Sequence, residues 1–145
     1  QDVFQLFQSQ SLEQAFLHGH SYTANPVACA AALASLDLLM KPESQLRIEN
    51  LTKWTREGLE TLKDFENVKN VRALGTLGAF EVDGHVGYFN GQFSQRLAKA
   101  TQERGVLLRP LGGTVYTLLP YCATEDHVKH VYGAIRASLE ELEIK

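Results

Sequence analysis

Disulfide scaffolding is the first thing the chain excludes. Its 145 residues hold only two cysteines, Cys29 and Cys122. They lie far apart, one in an apolar stretch and one beside a Pro-Tyr pair, so neither number nor spacing suggests a disulfide framework or a zinc site. Both read as buried thiols of a reducing cytosol. No uninterrupted apolar run is long enough to span a membrane, because the small-residue stretch after Pro26 stops at Lys41-Pro42. A soluble, cytoplasmic protein is expected. Basic charge is also scarce: the net charge is -3 and the 14 Lys and Arg are scattered, which gives no field for a nucleic-acid backbone. Gln1 is not an initiator Met and no signal peptide follows it, so the first residue reads as a cut and not a start.

Chemistry-bearing motifs are equally sparse. Ser35, Ser94 and Ser138 lack a G-x-S-x-G setting. Gly75-Thr76-Leu77-Gly78 opens no helix and is no dinucleotide fingerprint. His18 and His20 would share a face of a strand, but no third ligand has suitable spacing, so no metal is expected. His127 and His130, three apart near Asp126, read as part of a solvated polar helix face.

What is present is a globular composition, 44% hydrophobic and 21% charged, enough for one ordinary domain with a real core. Residues 2–7 suit a short helix and Gln8 to Gln14 an exposed polar loop. Asn25 is a good N-cap and Pro26 a good first helical residue. From Val27 to Met40 the chain is almost uncharged, which predicts a helix buried on most of its circumference. After the Lys41-Pro42 break, Glu43 to Leu62 is amphipathic, with Ile48, Leu51, Thr55, Leu59 and Leu62 along one face. Val68 to Leu74 and Leu77 to Val82 read as strands around Gly75-Thr76. Phe89 to Gly105 is a helix with a basic last turn and a closing glycine. Val106 to Arg109 and Val115 to Leu119 read as two strands joined through Pro110 to Gly113. Thr124 starts a last helix with a stripe of Val128, Val131, Ile135, Leu139 and Leu142. The order ααββαββα, with hairpins in place of crossovers, predicts an α+β fold with helices packed on a small antiparallel sheet.

Two places could hold a ligand. Gly19-His20-Ser21-Tyr22-Thr23 puts a glycine, hydroxyls and backbone N–H groups just before a helix, where an anion is readily held. Its hydroxyls could equally cap backbone groups. Arg109 ends four strand-like residues and is followed by Pro110, so its guanidinium could accept a carboxylate in a bidentate geometry closed to Lys. Pairing with a surface acid is the other possibility.

Phe16-Leu17-His18-Gly19-His20-Ser21-Tyr22-Thr23-Ala24-Asn25-Pro26-Val27-Ala28-Cys29-Ala30 resembles the segment after the catalytic lysine in class III aminotransferases, which use pyridoxal phosphate. Gly105 to Gly112, with Tyr116 and Pro120-Tyr121, is similar to that family's carboxylate-binding segment. Leu119 departs from the second proline of many members. The likeness is greatest to the biotin-pathway branch, and it implies amino transfer from S-adenosylmethionine to 8-amino-7-oxononanoate, giving 7,8-diaminononanoate. It implies that Gly19 and Arg109 contact substrate, and that His20 and Ser21 hold the phosphate of pyridoxal 5'-phosphate across a homodimer. It also implies a division into residues 1–25, the tail of a large cofactor-binding domain, 26–40, a linking helix, and 41–145, the C-terminal small domain of a fold-type I enzyme. The small domain's partners would be small-molecule substrates, with no nucleic acid and no membrane. A large domain would normally cover the 26–40 helix, so the isolated chain would leave apolar surface open.

Amino transfer needs a cofactor-bearing lysine and an acid for the pyridinium nitrogen. Lys41, Lys53, Lys63, Lys69, Lys99, Lys129 and Lys145 all stand in polar, helical or loop surroundings. In the family both groups precede the segment that opens this chain, so the chain alone is expected to be inactive. Another ω-amino acid or diamine transaminase, or a non-catalytic α+β interaction module, would share much of this pattern.

Overall fold

A computed structural model describes residues 2–5, 7–8, 14, 18–20, 22–85 and 91–144 of the chain. It separates into two compact units, Gln1–Met40 and Lys41–Lys145. The first contains helix α1 (Asp2–Gln5), a 3-10 turn at Tyr22–Ala24 and helix α2 (Pro26–Leu39). The loop expected over residues 8–14 falls largely outside the described residues. Asn25 caps α2 as its sequence predicts: Oδ1 accepts from the N–H of Val27 at 3.0 Å and of Ala28 at 3.1 Å, and Pro26 occupies the first turn.

Burial of α2 is not found. None of its described residues is buried, and Val27, Leu33, Leu36 and Leu38 are among the most exposed apolar side chains. The reason is compositional: with apolar groups on every side the helix needs cover all round, and the described residues of this chain do not supply it. Cys29 is exposed for the same reason. Cys122 is exposed too, in the turn after Pro120. Both correct the expectation of buried thiols.

The second unit is built on a three-stranded antiparallel sheet in the order β1 (Val68–Leu74), β2 (Leu77–Val82), β3 (Thr114–Leu118). Strands β1 and β2, expected as a hairpin or a bulged pair, form a hairpin with a register shift between Lys69 and Arg72, closed at Leu74↔Leu77 by a turn in which Gly75 takes φ +57°, a conformation that favours glycine. Strand β2 alternates strictly, burying Gly78, Phe80 and Val82. Helices α3 (Pro42–Glu60), α4 (Gln92–Glu103) and α5 (Glu125–Glu141) complete the fold. Helix α3 packs on β1, β2 and α5, and α4 on α5. The core joins Leu51, Leu59 and Leu62 to Phe80, Val115, Leu97, Ile135 and Leu139. This is an α+β layer of helices on a small antiparallel sheet.

Helix α4 begins at Gln92 after Gly91, and residues 86–90, where an earlier start was expected, lie outside the described set. It ends as its last residues predict. Gly105 takes φ +78°, its N–H donates to Gln102 O at 2.9 Å and that of Val106 to Thr101 O at 2.9 Å, the paired bonds of a Schellman motif. Helix α5 is capped by Thr124, whose Oγ1 accepts from His127 N–H while His127 Nδ1 accepts from Thr124 N–H at 3.2 Å. A histidine thus takes the usual place of Glu or Gln in a capping box.

Val106 to Arg109 is not a strand. The segment is extended, with Val106, Leu108 and Pro110 buried and Leu107 and Arg109 exposed, but among the described residues none of 106–109 pairs with the following strand, and the isolated bridge Leu111↔Thr114 lies beyond it. Pro110 accounts for the break: its ring holds φ near about -65°, far from the roughly -140° of an antiparallel strand. The predicted second hairpin is therefore a tight turn followed by two diverging arms.

Tyr132 knits the unit together. It is 2% exposed, and its hydroxyl lies 2.8 Å from Thr117 Oγ1. Burial pushes its phenol pKa up, partly offset by the Thr117 hydrogen bond. The native state thus keeps the proton that the unfolded chain, near the ordinary value of about 10, releases. Stability from this group is present below pH about 10 and falls as pH rises through the native value. Alkaline unfolding followed by circular dichroism should show that loss, and Tyr132→Phe should lack it.

Thr55 Oγ1 and Ser138 Oγ are buried with no hydrogen-bond partner among the described residues. Ser138→Ala removes an unsatisfied hydroxyl from a helix interior and adds a better helix former. It is expected to raise stability by about 0.5–1.5 kcal/mol, read from urea denaturation.

Candidate functional site

Arg109 is held by what lies on either side of it. Before it, the Schellman closure of α4 fixes the exit of the chain, and Val106 and Leu108 anchor in the core. After it, Leu111 and Thr114 exchange backbone hydrogen bonds of 2.8 and 3.0 Å. Gly112 takes φ +61°, and an ideal Cβ on Gly113 would stand 2.5 Å from His85 O and 2.8 Å from Val82 O. Only glycine fits at Gly113. Alternation then turns Arg109 outward, and its guanidinium forms no hydrogen bond or ion pair among the described residues.

The surface-acid alternative is thus not what is observed. Arg72, Arg104 and Arg136 show what such pairing looks like, with Glu81 at 2.9 Å, Glu141 at 2.7 Å and Asp64 at 3.2 Å. Among the described residues Arg47, Arg56 and Arg96 are also unpaired, but they project from exposed helix positions on α3 and α4. Arg109 differs in standing on a clamped extended segment, where it borders a groove of about 270 Å³ between residues 106–109 and β3, while Arg96 borders a separate cavity of about 240 Å³ beside His85 and Leu142.

The other sequence-predicted positions lie in the first unit. Gly19 is exposed, and a Cβ there would meet nothing within 4 Å. His20 is exposed, its ring edge-on to that of His18 at 6.0 Å, and its carbonyl accepts from Thr23 Oγ1 at 3.5 Å. Thr23 and Ala24 take φ +48° and +54° before the Asn25 cap, a left-handed pair that costs non-glycine residues on the order of 1–2 kcal/mol each. Ser21 lies outside the described residues. Gly19 and His20 thus adjoin one another in one unit, and Arg109 belongs to the other.

Among the described residues no lysine offers a desolvated amine. Lys53, Lys63, Lys99 and Lys129 make surface ion pairs with Glu57, Glu60, Glu103 and Glu125. Lys41 and Lys69 are exposed. Lys145 lies outside the described residues. A lysine that carries a cofactor works from a desolvated environment, and all six of these are exposed.

A three-stranded antiparallel sheet backed by helices, with an outward arginine on a clamped extended segment, fits a transaminase small domain. The model of the aminotransferase class-III family matches residues 1–139, and the chain belongs to that family. It is similar to adenosylmethionine-8-amino-7-oxononanoate aminotransferase of Synechococcus elongatus, 38% identical over 97% of this chain and 32% of that protein. The protein of the same name from Aquifex aeolicus is 29% identical over 98% of this chain and 33% of its own length. Among solved structures, that of the Methanocaldococcus jannaschii adenosylmethionine-8-amino-7-oxononanoate aminotransferase superposes with a TM-score of 0.73 at 26% identity, covering 95% of this chain and 33% of that one. The Pseudomonas jessenii omega transaminase in complex with PMP gives 0.72 at 25% identity, over 88% and 29%. The chain spans about one third of the length of these relatives. No described helix is long and apolar enough to cross a membrane.

Proposed function

We propose that this chain is the C-terminal third of an aminotransferase that moves an amino group from S-adenosylmethionine to 8-amino-7-oxononanoate, forming 7,8-diaminononanoate in biotin biosynthesis. The reading rests most on Arg109, a clamped guanidinium with no acidic partner among the described residues, on a chain similar over nearly its whole length to proteins named for that reaction. In this reading residues 1–25 are the tail of the large domain, 26–40 the linking helix and 41–145 the small domain. The exposed apolar circumference of α2 supports it, since such a surface calls for further polypeptide as cover.

Arg109 holds the substrate carboxylate, bidentate and charge-assisted. Gly19, open on its side-chain face, lets substrate run close to the backbone. The N–H groups of His20 and Ser21 and the Ser21 hydroxyl hold the cofactor phosphate across a homodimer. That role fits an exposed turn directly before a capped helix start, where partial positive charge collects. Bound pyridoxal 5'-phosphate supplies the electron sink for amino transfer. The lysine that carries it and the acid for its ring nitrogen come from sequence before this chain, because the described lysines here are exposed. Substrates are small molecules, nucleic acid and membrane have no part, and the enzyme is cytoplasmic.

A second reading is a related ω-amino acid or diamine transaminase of the same class, favoured by the superposition on the Pseudomonas jessenii enzyme. The complete enzyme assayed with 8-amino-7-oxononanoate separates the two. Formation of 7,8-diaminononanoate with S-adenosylmethionine as the best donor supports the first reading. Preference for an ω-amino acid or diamine donor supports the second.

A further inference from the structure

Helices α3 and α5 pack side by side, yet between Trp54 and Arg136 they leave a slot of about 310 Å³. Two glycines make the room. Gly58, on α3, gives its side-chain space to the ring of Tyr132, and Gly133, on α5, would set a Cβ in open space with nothing within 4 Å. Glycine is a poor helix former, and what the missing side chain of Gly133 leaves is space in the slot. The other walls are the half-buried Trp54 and the buried Val128 and Tyr132.

The polar side chains around the slot are engaged with one exception. Lys129 Nζ lies 2.6 Å from Glu125 Oε1. Arg136 pairs with Asp64 and Glu140 at 3.2 Å each and donates to Thr61 O. Thr61 Oγ1 donates to Gly58 O at 2.7 Å, and the Tyr132 hydroxyl shares its hydrogen bond with Thr117. Glu57 differs: among the described residues its carboxylate has no hydrogen bond, and its ion pair with Lys53, one turn back, is loose at 3.8 Å. It stands three residues after Trp54, so the two are neighbours on one helix face.

A slot walled by aromatic and aliphatic carbon, with one under-used carboxylate at its rim, is complementary to a cation that needs no hydrogen bond of its own. We propose that this slot binds a quaternary ammonium with an apolar body, its cationic head against Trp54 and Glu57 and its body over Val128, Tyr132 and Gly133. At the roughly 30 Å³ that a water fills in the liquid, the slot holds about ten such units, room for a ligand of about ten non-hydrogen atoms. The inference does not depend on the carboxylate reading of Arg109, because the slot shares no lining residue with the groove beside it.

Trp54 is the only tryptophan of the chain, so its emission reports on the slot directly. Benzyltrimethylammonium, titrated into the 145-residue chain, should change that emission saturably, with a Kd about tenfold below that of neutral 2-phenylethanol and further below that of phenylacetate. Tetramethylammonium, which lacks the apolar body, should bind more weakly than benzyltrimethylammonium. Glu57→Gln should raise the Kd of the cation about two- to fivefold and leave that of 2-phenylethanol unchanged. Gly133→Leu, at an exposed helix position with space for the side chain, should abolish the saturable change for every ligand while melting followed by circular dichroism stays cooperative. Equal affinity for the cation and 2-phenylethanol, or a cation Kd indifferent to Glu57→Gln, overturns the cation assignment. Saturable binding that survives Gly133→Leu, or no saturable change with benzyltrimethylammonium, overturns the site.

Discussion

Arg109→Gln in the complete aminotransferase is expected to lower kcat/KM for the carboxylate-bearing acceptor by about 10²-fold or more, chiefly through KM. Each of the two charge-assisted bonds of a bidentate guanidinium–carboxylate pair is worth roughly 1.5–3 kcal/mol, so the pair is worth at least about 3 kcal/mol, and each 1.4 kcal/mol is tenfold. Arg109→Lys should recover little of this, because an ammonium cannot present two parallel donors. Stability should not change, since Arg109 is exposed and has no hydrogen bond or ion pair among the described residues. Steady-state kinetics together with thermal unfolding check both halves. A tenfold or smaller change in kcat/KM, or an equal loss of Tm, would move Arg109 from substrate binding to structure.

The same substitution at two glycines should have opposite signs. A Cβ on Gly58, in α3, would stand 2.2 Å from Tyr132 Cδ2 and 2.5 Å from its Cγ. That ring cannot swing away, because its hydroxyl is tied to Thr117 and also stands 2.5 Å from the place of a Gly78 Cβ. Overpacking of this kind costs about 1–3 kcal/mol or more, and it exceeds the up to about 1 kcal/mol that alanine gains over glycine in a helix. Gly133, in α5, is exposed and would place its Cβ in open space. Gly58→Ala should therefore destabilise by roughly 1–2 kcal/mol or more, and Gly133→Ala should stabilise by about 0.5–1 kcal/mol. Chemical denaturation of the two variants gives the comparison. Stabilisation by Gly58→Ala would mean that the α3–α5 contact is looser than its geometry indicates.

Local signals made the β1–β2 hairpin legible to the residue. Alternation fixed Leu77–Val82 and the second half of Val68–Leu74, which a register shift between Lys69 and Arg72 interrupts where Asn70 takes φ +50°, and Gly75 supplied the positive φ between the strands. Alternation misleads at Val106 to Arg109, because an extended chain beside a core alternates whether or not it is hydrogen-bonded to a neighbour. The apolar face of α2 was legible as something to be covered, but composition does not say which polypeptide covers it. Tyr132 went unrecognised because Val131 beside it completes an equally good stripe. The notch at Gly58 that receives its ring is set by packing between helices far apart in sequence. Of the site, the outward direction of Arg109 followed from the same alternation that misread its strand. Its lack of an acidic partner required the packed unit, since several acids could have reached it by sequence alone.

The central claim is that this chain carries the substrate-side and phosphate-side groups of a transaminase centre and not its cofactor-bearing lysine. It is tested most directly by treating the isolated 145-residue chain with pyridoxal 5'-phosphate and borohydride and mapping modified lysines by mass spectrometry. The account predicts no stoichiometric, site-selective adduct, only scattered trace labelling of exposed lysines. A single lysine of this chain modified to one equivalent, with the label lost on its replacement by alanine, would contradict it.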